Sequence, residues 1–141
     1  MRVIEEKEET TNSVVLRIHS ETTTVETITD LLRIEPDRFV VKGTKAVPNN
    51  PKSYVHPANM WTLESDLKQT ESFEAHITRI VEFIESRLNA FEKLIKTCEI
   101  DIYCGYFSVN YTGFLSLSPD LLKRLTVMPV KIIVYLYLPD D

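Results

Sequence analysis

Few side chains in this sequence could do chemistry, and they are scattered. The imidazoles are His19, His56 and His76, and the thiols are Cys98 and Cys104. Imidazole titrates near neutrality and suits proton transfer or metal ligation; a thiolate suits nucleophilic attack. The spacings support neither. The histidines fall on a strand, a loop and a helix, and no Cys-x-x-Cys or His-Glu-x-x-His occurs, so no metal site is expected. Cys104 occupies an inward strand position, where free cysteine acts as a small hydrophobe. Cys98 sits at a helix–strand junction with no base aimed at it. Only three glycines occur, at 43, 105 and 113, too few and too far apart for a phosphate-cradling loop or a dinucleotide fingerprint. No catalytic residue and no cofactor is expected.

Charge marks one stretch. From Arg38 to Leu63 there are four basic residues, Arg38, Lys42, Lys45 and Lys52, and no acid, within a chain of net charge -5. The segment is +4 against -9 for the rest. Pro48, Pro51 and Pro57 stiffen it, and loops of this length are uncommon unless functional or disordered. One reading is an anion or small-ligand site built from Arg38, Lys42, Lys45, Lys52 and His56, with Trp61 and His76 contributing if the fold brings them near. The other is a solvated loop whose lysines balance nearby glutamates. Trp61, the only tryptophan, points inward on its strand and reads as a core anchor. His76 lies at the edge of a helix's apolar stripe, within reach of Ser65. A buried histidine satisfied by an oxygen is the default there.

The bulk composition narrows the class. A length of 141 residues suits one domain, and 43% hydrophobic with 26% charged residues is ordinary for a globular one. The negative net charge opposes general nucleic-acid binding, which depends on cations that release phosphate counterions. No apolar run reaches the roughly 18 residues that span a membrane. Two unpaired thiols and a charged N-terminus without a signal-peptide core suit the cytoplasm. Six residues apart on one strand, Cys98 and Cys104 would lie too far apart to bridge.

Periodicity supplies the elements that must position these groups. Residues 1–11 are glutamate-rich and read as a flexible N-terminal segment; residues 12–141 read as a single α+β domain. Strand alternation appears in 12–20, 38–42, 58–65, 99–109, 114–117 and 130–138. Helical spacing appears from Thr23, with Thr23 and Glu26 as a capping box, and over 71–97, which is long enough that a break near Asn89 is expected. Ser118-Pro119-Asp120 opens a third helix. The order predicts a ferredoxin-like, mixed and mostly antiparallel sheet with helices on one face, extended by a C-terminal β-hairpin, helix and strand.

If Val14, Leu16, Ile18, Trp61, Ile100 and Ile102 face the helices, the other sheet face carries Tyr103, Phe107, Ile133, Tyr135 and Tyr137. Either a loop or helix covers that aromatic half, or it is a surface for a protein partner or for self-association.

Several of these residues together resemble a known family. Lys42-Gly43 after a helix–proline turn, Trp61-Thr62-Leu63-Glu64-Ser65, His76 in a long helix, and Gly113-Phe114-Leu115-Ser116-Leu117-Ser118-Pro119 followed by Leu121 and Leu122 resemble the bacterial domain-of-unknown-function family numbered four-two-seven-nine. The resemblance covers roughly residues 13–138. That family often has an acid after the glycine; Thr44 stands here. The resemblance implies a small bacterial cytosolic α+β protein and no established activity. Two hypotheses follow: a non-enzymatic protein-interaction module, by analogy with small orphan domains an immunity-type protein that neutralises a partner, and a small-ligand or anion-binding domain using loop 42–57 and His76.

Overall fold

A computed structural model describes residues 10–139. Five strands and four helices follow in the order β1 (Thr11–Ser20), α1 (Val25–Leu32), β2 (Arg38–Val40), β3 (Asn59–Glu64), α2 (Phe73–Glu85), α3 (Leu88–Leu94), β4 (Glu99–Phe107), α4 (Pro119–Leu125) and β5 (Lys131–Tyr137). The strands form one mixed sheet ordered β2-β3-β1-β4-β5. β1 pairs antiparallel with β3 and β4, β2 antiparallel with β3, and β5 parallel with β4.

The two-residue alternation of β1 sets the layers. Val14, Leu16 and Ile18 are fully buried against Ile28 and Leu32 of α1, Ile77 and Ile80 of α2, and Phe91 of α3. Their alternates Val15, Arg17 and His19 face the other way and are half-buried, as a sheet with one packed and one open face requires. Ile100, Ile102, Cys104 and Tyr106 of β4 join the packed side.

The caps explain where the helices begin. Thr24 caps α1, its hydroxyl accepting from the Thr27 amide at 3.2 Å. The cap therefore lies one residue after the Thr23 of the expected box. Ser72 caps α2 and Ser118 caps α4, with Pro119 in the first turn as its fixed φ favours. The long apolar stripe from 71 to 97 is divided at Ser86–Arg87, close to the break expected near Asn89. Arg87 leaves helical geometry (φ -135°, ψ 35°) and donates from Nε to the Leu32 carbonyl at 2.7 Å. It thus satisfies an orphan carbonyl at the C-terminus of α1, and its guanidinium stacks 4.3 Å over Phe83.

Two expectations are corrected. Residues 114–117 form no strand. The edge of β4 that they would have paired with is occupied by β5, which arrives through α4 and runs parallel. Leu115 and Leu117 instead pack from a loop against the core, and Phe114 is 85% exposed. The C-terminal extension is accordingly a β-α-β crossover and not a hairpin. Of the N-terminal segment 1–11, residues 1–9 lie outside the described residues, and Thr11 already pairs with Phe107. Among the described residues no helix is long and apolar enough to cross a membrane.

Candidate functional site

Register assigns the rows of the open face. Val15, Tyr103 and Ile133 align across β1, β4 and β5; so do Ser13, Gly105 and Tyr135, then Thr11, Phe107 and Tyr137. The five aromatic and aliphatic side chains singled out from the sequence therefore share one face. Among the described residues the outer part of it is open: Tyr135 is 50% exposed, Tyr137 45% and Phe107 42%. Phe107 and Tyr137 stack with centroids 4.5 Å apart, and Tyr103 meets Tyr135 at 5.1 Å. Gly105 makes the stack possible. A Cβ there would lie 3.0 Å from the Phe107 ring and 3.7 Å from that of Tyr137, so its missing side chain leaves room for both rings.

A polar brace holds the inner rim of this band. Arg17 grips Asp101 with two hydrogen bonds, Nε to Oδ1 at 2.8 Å and Nη2 to Oδ2 at 3.0 Å, and His19 Nε2 lies 3.0 Å from Oδ2. Burial alone would raise the Asp101 pKa. The hydrogen bonds from His19 and Arg17 overcome it and hold the carboxyl below its ordinary value. The same guanidinium lies 4.3 Å from the Tyr103 ring centroid, which fixes the innermost aromatic ring by a cation–π contact. Arg17 and Asp101 escaped the sequence reading. Their spacing of 84 residues leaves no local signal, although a cationic and an anionic residue at open-face positions of two strands were both legible.

The basic residues are not gathered into one pocket. Arg38, Lys42, Lys45 and Lys52 are all exposed. Lys42 donates from Nζ to the Glu21 carbonyl at 3.1 Å. Loop 43–57 folds back on itself: Lys45 bridges Val55, and Gly43, Ala46 and His56 donate from their amides to the His56, Tyr54 and Thr44 carbonyls. His56 packs edge-on to Tyr54 at 5.3 Å. This loop lies at the Asn59 end of β3, while His76 lies against Ser65 beyond the other end. Six residues of strand, roughly 20 Å, separate them. Trp61 is fully buried, its Nε1 donating to Thr29 Oγ1 at 3.1 Å.

His76 is a core residue, 1% exposed, with Nδ1 2.6 Å from Ser65 Oγ. Among the described residues its Nε2 and Asn12 Oδ1 make no well-formed hydrogen bond, and both atoms are sealed from solvent. Burial lowers the His76 pKa below its ordinary value; the Lys68 carbonyl and the Glu71 charge pull upward but lose. Because the folded pKa is depressed, the unfolded chain takes up this proton first as pH falls through about 6.5. Stability must then drop, until the pH passes the lower folded pKa. Thermal unfolding between pH 7.5 and 5 should show a falling Tm in the wild type and a shallower fall in His76→Gln. Equal slopes would remove His76 as the cause.

The nucleophilic thiols are equally withdrawn. Both cysteines are buried and free, and burial pushes the Cys104 thiol up to about 12. Among the described residues no group of three or more His, Cys, Asp or Glu side chains gathers as metal ligands would.

The fold and the surface together define an α+β domain with a five-stranded mixed sheet, one face packed by helices and the other carrying an exposed aromatic band. The chain belongs to the domain-of-unknown-function family DUF4279, whose model matches residues 8–139. No curated protein and no solved structure matches it.

Proposed function

We propose that this is a non-enzymatic protein-interaction module of the bacterial cytoplasm, of the immunity type, that binds and neutralises a partner through the open face of β4 and β5. The observation that carries this reading is the continuous band of Tyr103, Phe107, Ile133, Tyr135 and Tyr137, half-exposed and braced by Arg17. Tyrosine-rich apolar patches with fixed ring positions lose little entropy on contact and serve as anchors at protein interfaces. A net charge of -5 suits a basic partner. The order β4-β1-β3-β2, with antiparallel neighbours throughout, supports reading the first four strands with their helices as a ferredoxin-like unit, to which α4 and β5 add the aromatic edge.

Co-expression with the products of neighbouring genes tests the reading. A 1:1 complex is expected, weakened at least tenfold by Tyr103→Ala combined with Tyr135→Ala. A complex that tolerates both substitutions would move the site elsewhere. Failure of every neighbouring product to bind would reject the immunity-type role.

A further inference from the structure

The two edges of the sheet are treated differently. β2 spans three residues, carries Arg38, and is followed by a loop that folds back on itself under Lys42 and Lys45. Short length, cations and a covering loop are the usual protections of an edge. β5 is less protected: its one cation, Lys131, stands at the first position of the strand. It is seven residues long, and from Ile132 to Leu138 it has no charge and no proline. It is also apolar on both sides: Tyr135 and Tyr137 are exposed on the open face, and Val134 and Leu136 on the helix side, at 36% and 59%. Among the described residues β4 is its only neighbour, which leaves one line of its backbone N–H and C=O groups without a strand partner there.

We propose that the edge of β5 pairs antiparallel with β5 of a second copy of this chain, making a continuous ten-stranded sheet across a two-fold axis. The proposal rests on the reading of the β4–β5 surface as a contact surface and names the partner at its edge. An added strand must be apolar on both faces at once, and β5 itself has that pattern. The two-fold through Val134 pairs all seven residues with seven. It sets Val134 opposite Val134, Ile133 opposite Tyr135 and Ile132 opposite Leu136, so that each face meets its own kind.

Charge selects the direction. In a parallel pair the two Lys131 ammonium groups would stand side by side. In the antiparallel pair each Lys131 lies opposite Tyr137, and the two lysines are about 20 Å apart. No other charge lies within the seam, so two acidic chains can meet there. The seam would draw on the exposed parts of Val134 to Leu138 on each copy. Five residues at an edge make a small seam beside the roughly 20–30 residues a side of a standard interface, so a weak, concentration-dependent dimer is expected. The β4 part of the open face, with Tyr103 and Phe107, stays free on both copies.

Sedimentation equilibrium of the full chain from about 1 to 200 μM tests this, with two variants beside the wild type. The wild type is expected to pass from one to two protomer masses. Leu136→Lys, at a position exposed enough to leave the protomer folded, should move the midpoint upward by about 100-fold, since symmetry places the unpaired charge in the seam twice. Val134→Cys should give an oxidised covalent dimer, because its Cα lies opposite its own copy, while Leu138→Cys should not. A wild type that stays monomeric throughout, or a dimer indifferent to Leu136→Lys, overturns the proposal. In the first case, a neighbouring gene product still captured through Tyr103 and Tyr135 leaves the broader reading standing. Larger, open-ended assemblies would likewise overturn it, as a heterologous contact.

Discussion

Replacing Trp61 by alanine is expected to destabilise the protein by about 3–5 kcal/mol, the range for emptying a large aromatic site in a core that cannot collapse. Trp61 sits in the middle of β3, between Ile18 of β1 and Phe39 of β2, and is fully buried under α1. Its indole N–H is satisfied by Thr29. For a chain of this length the loss corresponds to a fall in Tm of roughly 10 °C or more. Trp61→Phe should retain most of the apolar burial. Thr29→Val should cost only about 1 kcal/mol, the net worth of one hydrogen bond, plus the penalty of the orphaned indole N–H. Unfolding must be followed by far-ultraviolet circular dichroism, since Trp61 is the only tryptophan. A loss below 1 kcal/mol for Trp61→Ala would mean that the β3–α1 packing is not the centre of the core.

Asp101→Ala should produce the second-largest effect, about 2–3 kcal/mol. That is below the 3–5 kcal/mol of a fully buried broken pair, because the Arg17 side chain keeps 22% of its surface exposed. The substitution leaves Arg17 and His19 beside each other with no anion between them. Pairing it with Arg17→Met in a double-mutant cycle should return a coupling of about 1–2 kcal/mol; additive costs would show that the bidentate contact contributes nothing.

Acid should reproduce part of the effect. With its folded pKa depressed, Asp101 stabilises the protein above its unfolded value near 4, and that stability is lost as pH falls below it toward the folded pKa. This window lies below that of His76, so the two steps separate in a pH series. The functional consequence is specific. Without Asp101 the Arg17 guanidinium is no longer held over Tyr103, and the proposed partner binding through the open face should weaken even at temperatures where the variant is fully folded.

Strand and helix identity came from patterns that need only local chemistry. Val14, Leu16 and Ile18 alternate because a half-buried strand must, and the apolar stripe of 71–97 marks a helix because its period is 3.6. The break in that helix was legible to within a few residues, but its cause was not. Arg87 leaves the helix to reach Leu32, 55 residues away, and no local rule contains that carbonyl. The run 114–117 misled for a related reason. Its alternation is real, with Leu115 and Leu117 turned inward, but alternation states which side chains face the core and not whether an edge is free to pair.

The sequence by itself determined the α+β class, the inward placement of Trp61, and the shared face of Tyr103, Phe107, Ile133, Tyr135 and Tyr137; it put His76 only at the edge of the apolar stripe, whereas the structure buries it fully. Those follow from the two-residue and 3.6-residue periods and from the cost of exposing large apolar groups. Only the tertiary structure decided that β5 runs parallel at one edge of the sheet, that Arg17 and Asp101 meet, and that the basic loop and His76 lie at opposite ends of β3. Each depends on pairing between segments far apart in the chain. Such pairing is set by which faces and edges remain once the core has closed, and no window of neighbouring residues carries that information.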